Sequence, residues 1–215
     1  MLGQKPNVVE VFRIVHINNV DFLVTNGIFT KNLAHADPHY INIGDSTLIT
    51  QRNDYPVGIN PPNGVLGDYV PFYFGPLSPM LLNIKTGYRG ITQRPQNDIV
   101  YIVCKVDLIV ENCAEWCFTD GHAKNAITEF YNGVANLDEI DWNMVAERNW
   151  SNNEEDFDRM RRKQAEFLVK HHVPVNCISS IVVHSEQRRV FVQAIIDRLG
   201  LEISVRINPN NQFYY

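Results

Sequence analysis

The chain has 215 residues, enough for a domain with a sizeable buried core. Its 45% hydrophobic and 20% charged residues are ordinary for a soluble globular protein, and the net charge of −5 argues against a general nucleic-acid coat. No apolar run reaches membrane-spanning length; the best candidate, IVYIVCKVDLIV, is short and carries Lys105 and Asp107.

In chain order, MLGQKPNVVEVF lacks the charged start, long apolar stretch and cleavage site of a secretory signal, so a cytoplasmic protein is expected. VVEVFRIVHI reads as a strand, and NNVDFLVTNGIF as a short helix capped by Asn18 or Asn19 and stopped at Asn26-Gly27. Residues 53–68, rich in Pro, Gly and Asn, form a long loop, of a kind that is usually either functional or disordered. DYVPFYF and NDIVYIVCKVDLIV are β-like, and Ser78-Pro79 starts a helix between them. Residues 127–150 mix helical pieces and turns. VPVNCISSIVVHS is a strand candidate, EQRRVFVQAIIDRLGL an amphipathic helix ending at Gly200, and ISVRINPNNQFYY a last strand and turn. Strands and helices are interspersed without regular βαβ alternation, which predicts a single α+β domain over 1–215.

Charge is unevenly spread. Residues 107–158 carry 2 basic and 13 acidic residues, whereas 159–206 carry 9 and 4. Such blocks are either solvated faces or, at Arg159, Arg161, Arg162 and Lys163, a basic surface for a nucleotide or polynucleotide. Cys104 reads as a core residue. Cys113, Cys117 and Cys177 with His122, His171 or His172 match no common zinc spacing, so no metal is expected.

KQAEFLV (163–169) sets a glutamate inside an apolar run, where a lone carboxylate is costly. As a helix it is an exposed charged stripe, with Arg162, Glu166 and Lys170 on one face. As a strand it puts Ala165, Phe167 and Val169 into a core, and Gln164 and Glu166 toward a cleft. Arg13 is the same anomaly within VFRIVH, either snorkelling from an edge strand or contacting an anionic ligand. Arg52, just before the long loop, could clamp a phosphate. No GxGxxG, P-loop, GxSxG or HExxH is present.

FRIVHINN (12–19), INIGDSTLITQR (41–52), GDYVPFYFGPLSPML (67–81), GITQRP (90–95), FTDGHA (118–123) and RKQAEFLV (162–169) together resemble the DarT family of DNA ADP-ribosyltransferase toxins. The resemblance implies an ADP-ribosyltransferase-like split β-sheet with flanking helices around an NAD cleft. It implies transfer of ADP-ribose from NAD+ to thymine in single-stranded DNA, with no metal, by a bacterial monomer whose antitoxin partner is the macrodomain protein DarG. Glu166 then matches the catalytic glutamate, and Arg52 an arginine that contacts NAD+ and assists. Arg13, Ile14, Val15 and Gly44 match the cofactor cleft, while Arg94, His122 and Gln164 match positions toward the DNA. Some relatives have His at the position of Arg13, which leaves the role of that side chain open. Either Glu166 or Arg52 would take the proton from thymine N3. Tyr69, Phe72, Tyr73, Tyr131 and Trp142 are stacking candidates, though core packing is the commoner use of aromatics. Competing readings are an NAD glycohydrolase, a transferase acting on guanine, and a non-catalytic binding module.

Overall fold

A computed structural model of the protein describes residues 2–215. Strand β1 (Glu10–His16) uses the β-branched and aromatic EVFRIVH run. Helix α1 (Val20–Asn26) stops at Gly27, which has φ 84°. Neither asparagine caps it by its side chain. Asn19 instead crosses to Ile41, donating to its carbonyl at 3.0 Å and accepting from its N–H at 2.9 Å. After β2 (Ile28–Phe29) comes α2 (Ser46–Asn53), which the sequence reading did not anticipate. Asp45 caps it by accepting from the N–H groups of Thr47 and Leu48 at 2.9 and 3.1 Å.

The loop over 53–68 folds back on itself through Val57 N–H to Gly64 O (2.9 Å) and Leu66 N–H to Tyr55 O (2.8 Å). Then come β3 (Tyr69–Tyr73) and α3 (Pro79–Thr86), the latter opened by Ser78-Pro79 as expected and closed by Gly87 in the left-handed region. The run 97–110 is two elements: β4 (Ile99–Lys105) turns directly into α4 (Val106–Asn112). Ile99 to Cys104 are buried on both strand faces, so the apolar pattern carries no period to mark that change.

The remaining elements are β5 (Trp116–Thr119), β6 (Phe130–Tyr131), α5 (Trp142–Ala146), α6 (Arg159–Lys163), β7 (Glu166–Lys170), β8 (His172–Val173), β9 (Ile178–Val183), α7 (Glu186–Leu199, ending at Gly200) and β10 (Ser204–Ile207).

Eight strands form one sheet in the order β10-β9-β4-β1-β3-β7-β5-β6, and β2 pairs with β8 apart from it. β1 meets β4 along its full length but meets β3 at the single pair Phe12–Tyr73. The sheet is therefore two four-stranded halves hinged at β1/β3, the split arrangement expected. Alternation along β1 feeds two cores. Val11 and Val15 join the larger cluster, with Ile102, Phe167 and Val192. Phe12 and Ile14 join a second, with Leu81, Tyr101 and Phe213. Phe72 and Trp142 are buried in the larger core, the structural use of those aromatics. Among the described residues no helix is long and apolar enough to cross a membrane.

The basic run at 159–163 is not an open anion-binding face. Arg161 pairs with Asp120 (2.9 Å) and Asp158 (2.7 Å), and Arg162 pairs with Asp141 and Asp156. Arg159 donates to the carbonyls of Ser151 and Asn149. Lys163, 1% exposed, donates to Val145 O at 2.7 Å and Glu147 O at 2.8 Å. Four carboxylates of the acidic middle, Asp120, Asp141, Asp156 and Asp158, thus pair with Arg161 and Arg162 of the run that follows.

Candidate active site

A cavity of about 520 Å³ lies where the half-sheets part, within the range of ligand-binding clefts. β1 contributes Arg13 and Ile14 to its wall, β3 contributes Tyr69 and Tyr73, and the segment from Asn42 through α2 contributes Gly44 and Arg52. Glu166 and His122 complete it.

Glu166 is the first residue of β7 and is 2% exposed. The Arg52 guanidinium donates to it in parallel, Nη1 to Oε1 at 2.9 Å and Nη2 to Oε2 at 2.7 Å, and the Ala123 N–H donates to Oε1 at 2.9 Å. Its own N–H donates to Thr119 Oγ1 at 3.2 Å, and that hydroxyl donates to Gly121 O at 2.7 Å. On the opposite strand face, Phe167 and Val169 lie in the larger core and stiffen the mount.

Burial alone would push the Glu166 carboxyl up. The Arg52 charge and hydrogen bonds, with His122 and the Ala123 N–H, outweigh it and hold the carboxyl below the usual carboxylate range. Burial likewise works against the charged Arg52, and Glu166 reverses that. The result is a desolvated ion pair with both partners ionised. Burial, then the Glu166 charge, pushes the Tyr73 phenol up, so it stays a protonated donor. Burial pulls His122 below its ordinary value; Glu166 opposes the shift and Arg52 adds to it.

The loop 120–128 that carries His122 and Ala123 is braced by Arg161. Arg161 O accepts from His122 N–H at 3.0 Å, and Arg161 Nη1 donates to Asp120 at 2.9 Å and Thr128 at 3.3 Å. Gly121 admits this contact, because a Cβ there would lie 2.4 Å from Arg161 Nη1. Thr128 Oγ1 donates to His122 O at 2.9 Å from the far side of the loop. Thr119 and Ala123 escaped the sequence reading, and Arg161 entered it only as part of a basic surface; in FTDGHA only the histidine was singled out as a site residue.

Arg13 bridges the split, Nη1 donating to Pro71 O at 3.0 Å, while its Nε is buried with no partner. Gly44 N–H donates to Asn42 Oδ1 at 3.1 Å, and a Cβ on Gly44 would lie 3.2 Å from Ile49 Cδ1.

Three expected residues fall outside the cavity. Val15 is fully buried in the larger core, since alternation turns it away from the face of Ile14. Gln164 precedes β7 rather than belonging to it, and its amide donates back to Met160 O at 2.9 Å to close α6. Both readings of KQAEFLV are thus partly right: the helix ends at Lys163 and the strand begins at Glu166. Arg94 lies at the far end of α3, its N–H tied to Ile84 O at 3.0 Å, and lines a separate depression with Lys85 and Gln93. Among the described residues no three His, Cys, Asp or Glu side chains gather to hold a metal.

A rigid, ionised glutamate at the head of a strand, facing a ligand-sized cleft between two half-sheets, defines an ADP-ribosyltransferase-type site. The family model described as "ssDNA thymidine ADP-ribosyltransferase, DarT" matches residues 12–215, and the chain belongs to that family of enzymes. It is 35% identical over 200 residues to a DNA ADP-ribosyl transferase of Escherichia coli O127:H6, covering 93% of this chain and 91% of the relative. The structure resembles Thermus sp. 2.9 DarT in complex with ADP-ribosylated ssDNA, with a TM-score of 0.89, 28% identity and full coverage of both chains. It also resembles the same protein in complex with NAD+, with a TM-score of 0.83, 27% identity and coverage of 99% and 100%.

Proposed function

We propose that this cleft transfers ADP-ribose from NAD+ to thymine in single-stranded DNA, with Glu166 as the group that stabilises the transition state. The observation that carries the reading is the hydrogen-bond inventory of Glu166. A carboxylate has about four acceptor sites. Oε1 accepts from Arg52 and Ala123 and Oε2 from Arg52 alone, which leaves one acceptor site on Oε2. A ribose hydroxyl can take that site without breaking the pair.

When the nicotinamide–ribose bond breaks, positive charge grows on the ribose, and a fixed buried anion stabilises that state more than the ground state. Nicotinamide leaves with the bonding electrons, thymine N3 forms the new bond to the ribose carbon, and the N3 proton passes to a base. Arg52, held protonated by Glu166, is not suited to receive that proton; Glu166 receives it at the Oε2 site, once the ribose hydroxyl has left that site. Arg13, on the cavity wall with its Nε unpartnered, suits an anionic or amide group of NAD+, and Gly44, with no side chain on that wall, lets the cofactor approach the backbone. The reactive edge of thymine is hidden in a duplex, so a single strand or an extruded base is required.

The family resemblance supports DarG as partner. Restored growth when DarG is co-expressed with this chain tests that part. The reaction is tested by incubating a thymine oligonucleotide with NAD+ and the protein, with an ADP-ribose adduct as the expected product.

A further inference from the structure

Among the described residues nine of the nineteen lysines and arginines pair with carboxylates, as at Lys170–Glu115, Arg188–Asp98 and Arg198–Asp21. One stretch differs. From Tyr69 to Asn97 the chain has no acidic residue, yet it carries Lys85, Arg89 and Arg94. Among the described residues, none of the three forms an ion pair with a carboxylate.

These residues follow one another at the C-terminal end of α3, the helix whose first turn borders the cavity. Met80, at the start of α3, is on the cavity wall, and Lys85 is five residues along the same helix, about 7–8 Å farther on. The following turn is fastened to the end of α3 by Gln93 Nε2 donating to Lys85 O at 3.0 Å and by the Arg94 N–H bond to Ile84 O. Gly87 and Gly90 have positive φ, and so does Arg89 at 58°. This backbone holds Tyr88 out in solvent, 59% exposed, with the Arg89 guanidinium 5.5 Å from its ring centre. A large exposed aromatic beside uncompensated cations has no packing role to explain it. It does have the composition of a single-strand binding platform: a π-face for a base and charges for the backbone.

We propose that Lys85, Tyr88 and Arg89 form a docking surface for the single strand flanking the modified thymine. Tyr88 stacks on a base outside the cleft, and Lys85 and Arg89 hold phosphates. The inference rests on the transferase reading for its occupant, and charge complementarity selects that occupant: a polyanion with exposed bases. A folded protein partner would require apolar burial that this turn does not offer.

The test is binding measured without NAD+, so its result stands whatever the outcome of the transfer reaction. Fluorescence anisotropy would compare a minimal thymine trinucleotide with strands extended on the 5′ side, the 3′ side or both. The proteins are wild type, the double variant Lys85→Gln/Arg89→Gln, and Tyr88→Ala. All three positions are exposed, and circular dichroism melts check that the fold is kept.

For wild type, extended strands on at least one side bind more tightly than the trinucleotide, with a steep salt dependence. The double variant loses that length advantage, and its log Kd against log salt slope falls by about 1.4, the release expected for two single-strand phosphate contacts. Tyr88→Ala weakens binding of the extended strand roughly 5- to 150-fold. The proposal is overturned if wild type shows no length advantage, or if the variants keep the wild-type length advantage and salt slope. An equal loss on the trinucleotide also overturns it, since that would put these residues inside the minimal site.

Discussion

Arg52 and Glu166, 114 positions apart, meet through two parallel hydrogen bonds of 2.9 and 2.7 Å, with side chains 14% and 3% exposed. The first closes the last turn of a surface helix and the second opens a core strand. Their meeting fixes the ionisation of the carboxylate, its rotamer and the single acceptor site it has left. A buried pair of this kind is costly to break, about 3–5 kcal/mol when one partner is removed, because the other charge is left uncompensated.

Replacing Arg52 by Met removes what opposes burial at Glu166, and the carboxyl rises above its ordinary range. Transfer at neutral pH falls by about 10²–10³-fold, and raising the pH restores part of it. A pH–rate profile of single-turnover transfer checks this. Loss of activity without any alkaline recovery would mean that Arg52 acts on the substrate directly rather than through Glu166.

Acid stability follows from the same pair. The Glu166 carboxyl sits lower in the folded protein than in the unfolded chain, where it lies near 4.3. Its stabilising contribution is therefore complete above that unfolded value and is lost as pH falls through the lower folded value. Urea midpoints of wild type and Glu166→Gln should differ by a constant amount from neutral pH down to about 4.3, and converge below it. Convergence already between pH 7 and 5 would mean that burial dominates and the pair is not ionised as described.

Lys163 gives a pH response of the same sign in a higher window. Burial pulls its ammonium down to about 7, with Glu147 opposing, while the unfolded chain holds that proton to about 10.4. Between those values the unfolded state binds more protons, so stability rises with pH, by at most about 1.4 kcal/mol per unit. Wild type should gain on Lys163→Met between pH 7 and 9 in urea unfolding. Parallel curves would show that the two carbonyls, Val145 O and Glu147 O, keep the ammonium charged.

Arg161 touches no cavity residue through its side chain, yet its backbone and guanidinium set the loop that delivers Ala123 N–H to Glu166. Arg161→Gln should lower the single-turnover rate roughly 10- to 100-fold, the scale of a 1 Å misplacement, with NAD+ affinity changed far less. Gly121→Ala should do the same from the other side of the contact. An equal loss in NAD+ affinity would place the loop in ground-state binding instead.

The parts of this site legible in the sequence are those encoded locally. Ser78-Pro79 and Gly87 bound α3, Gly200 ends α7, and the alternation of Ala165, Phe167 and Val169 marks the core side of β7. Glu166, Arg52, Arg13 and Gly44 were legible as a set only through the family resemblance. Long-range pairings were not legible at all. A block of 13 acidic residues followed by an arginine run looks like two surfaces, and only the fold turns Arg162 onto Asp141 and Asp156. Gln164 was misplaced because alternation was extended two residues past the true start of β7, across the helix–strand junction at Gln164-Ala165. Thr119 and Ala123 act through a hydroxyl and a backbone N–H, groups that no motif in the sequence advertises.

The central claim is that Glu166 drives ADP-ribose transfer to thymine, and mass spectrometry of a thymine-containing single-stranded oligonucleotide after incubation with NAD+ tests it most directly. A thymine-free strand and the Glu166→Gln protein, whose amide oxygen can still accept from Ala123, serve as controls. One ADP-ribose adduct on the thymine strand alone, lost in a variant that melts as a folded protein, is the predicted result. An adduct that persists in Glu166→Gln, or NAD+ consumed to free ADP-ribose with no adduct on any strand, would contradict it.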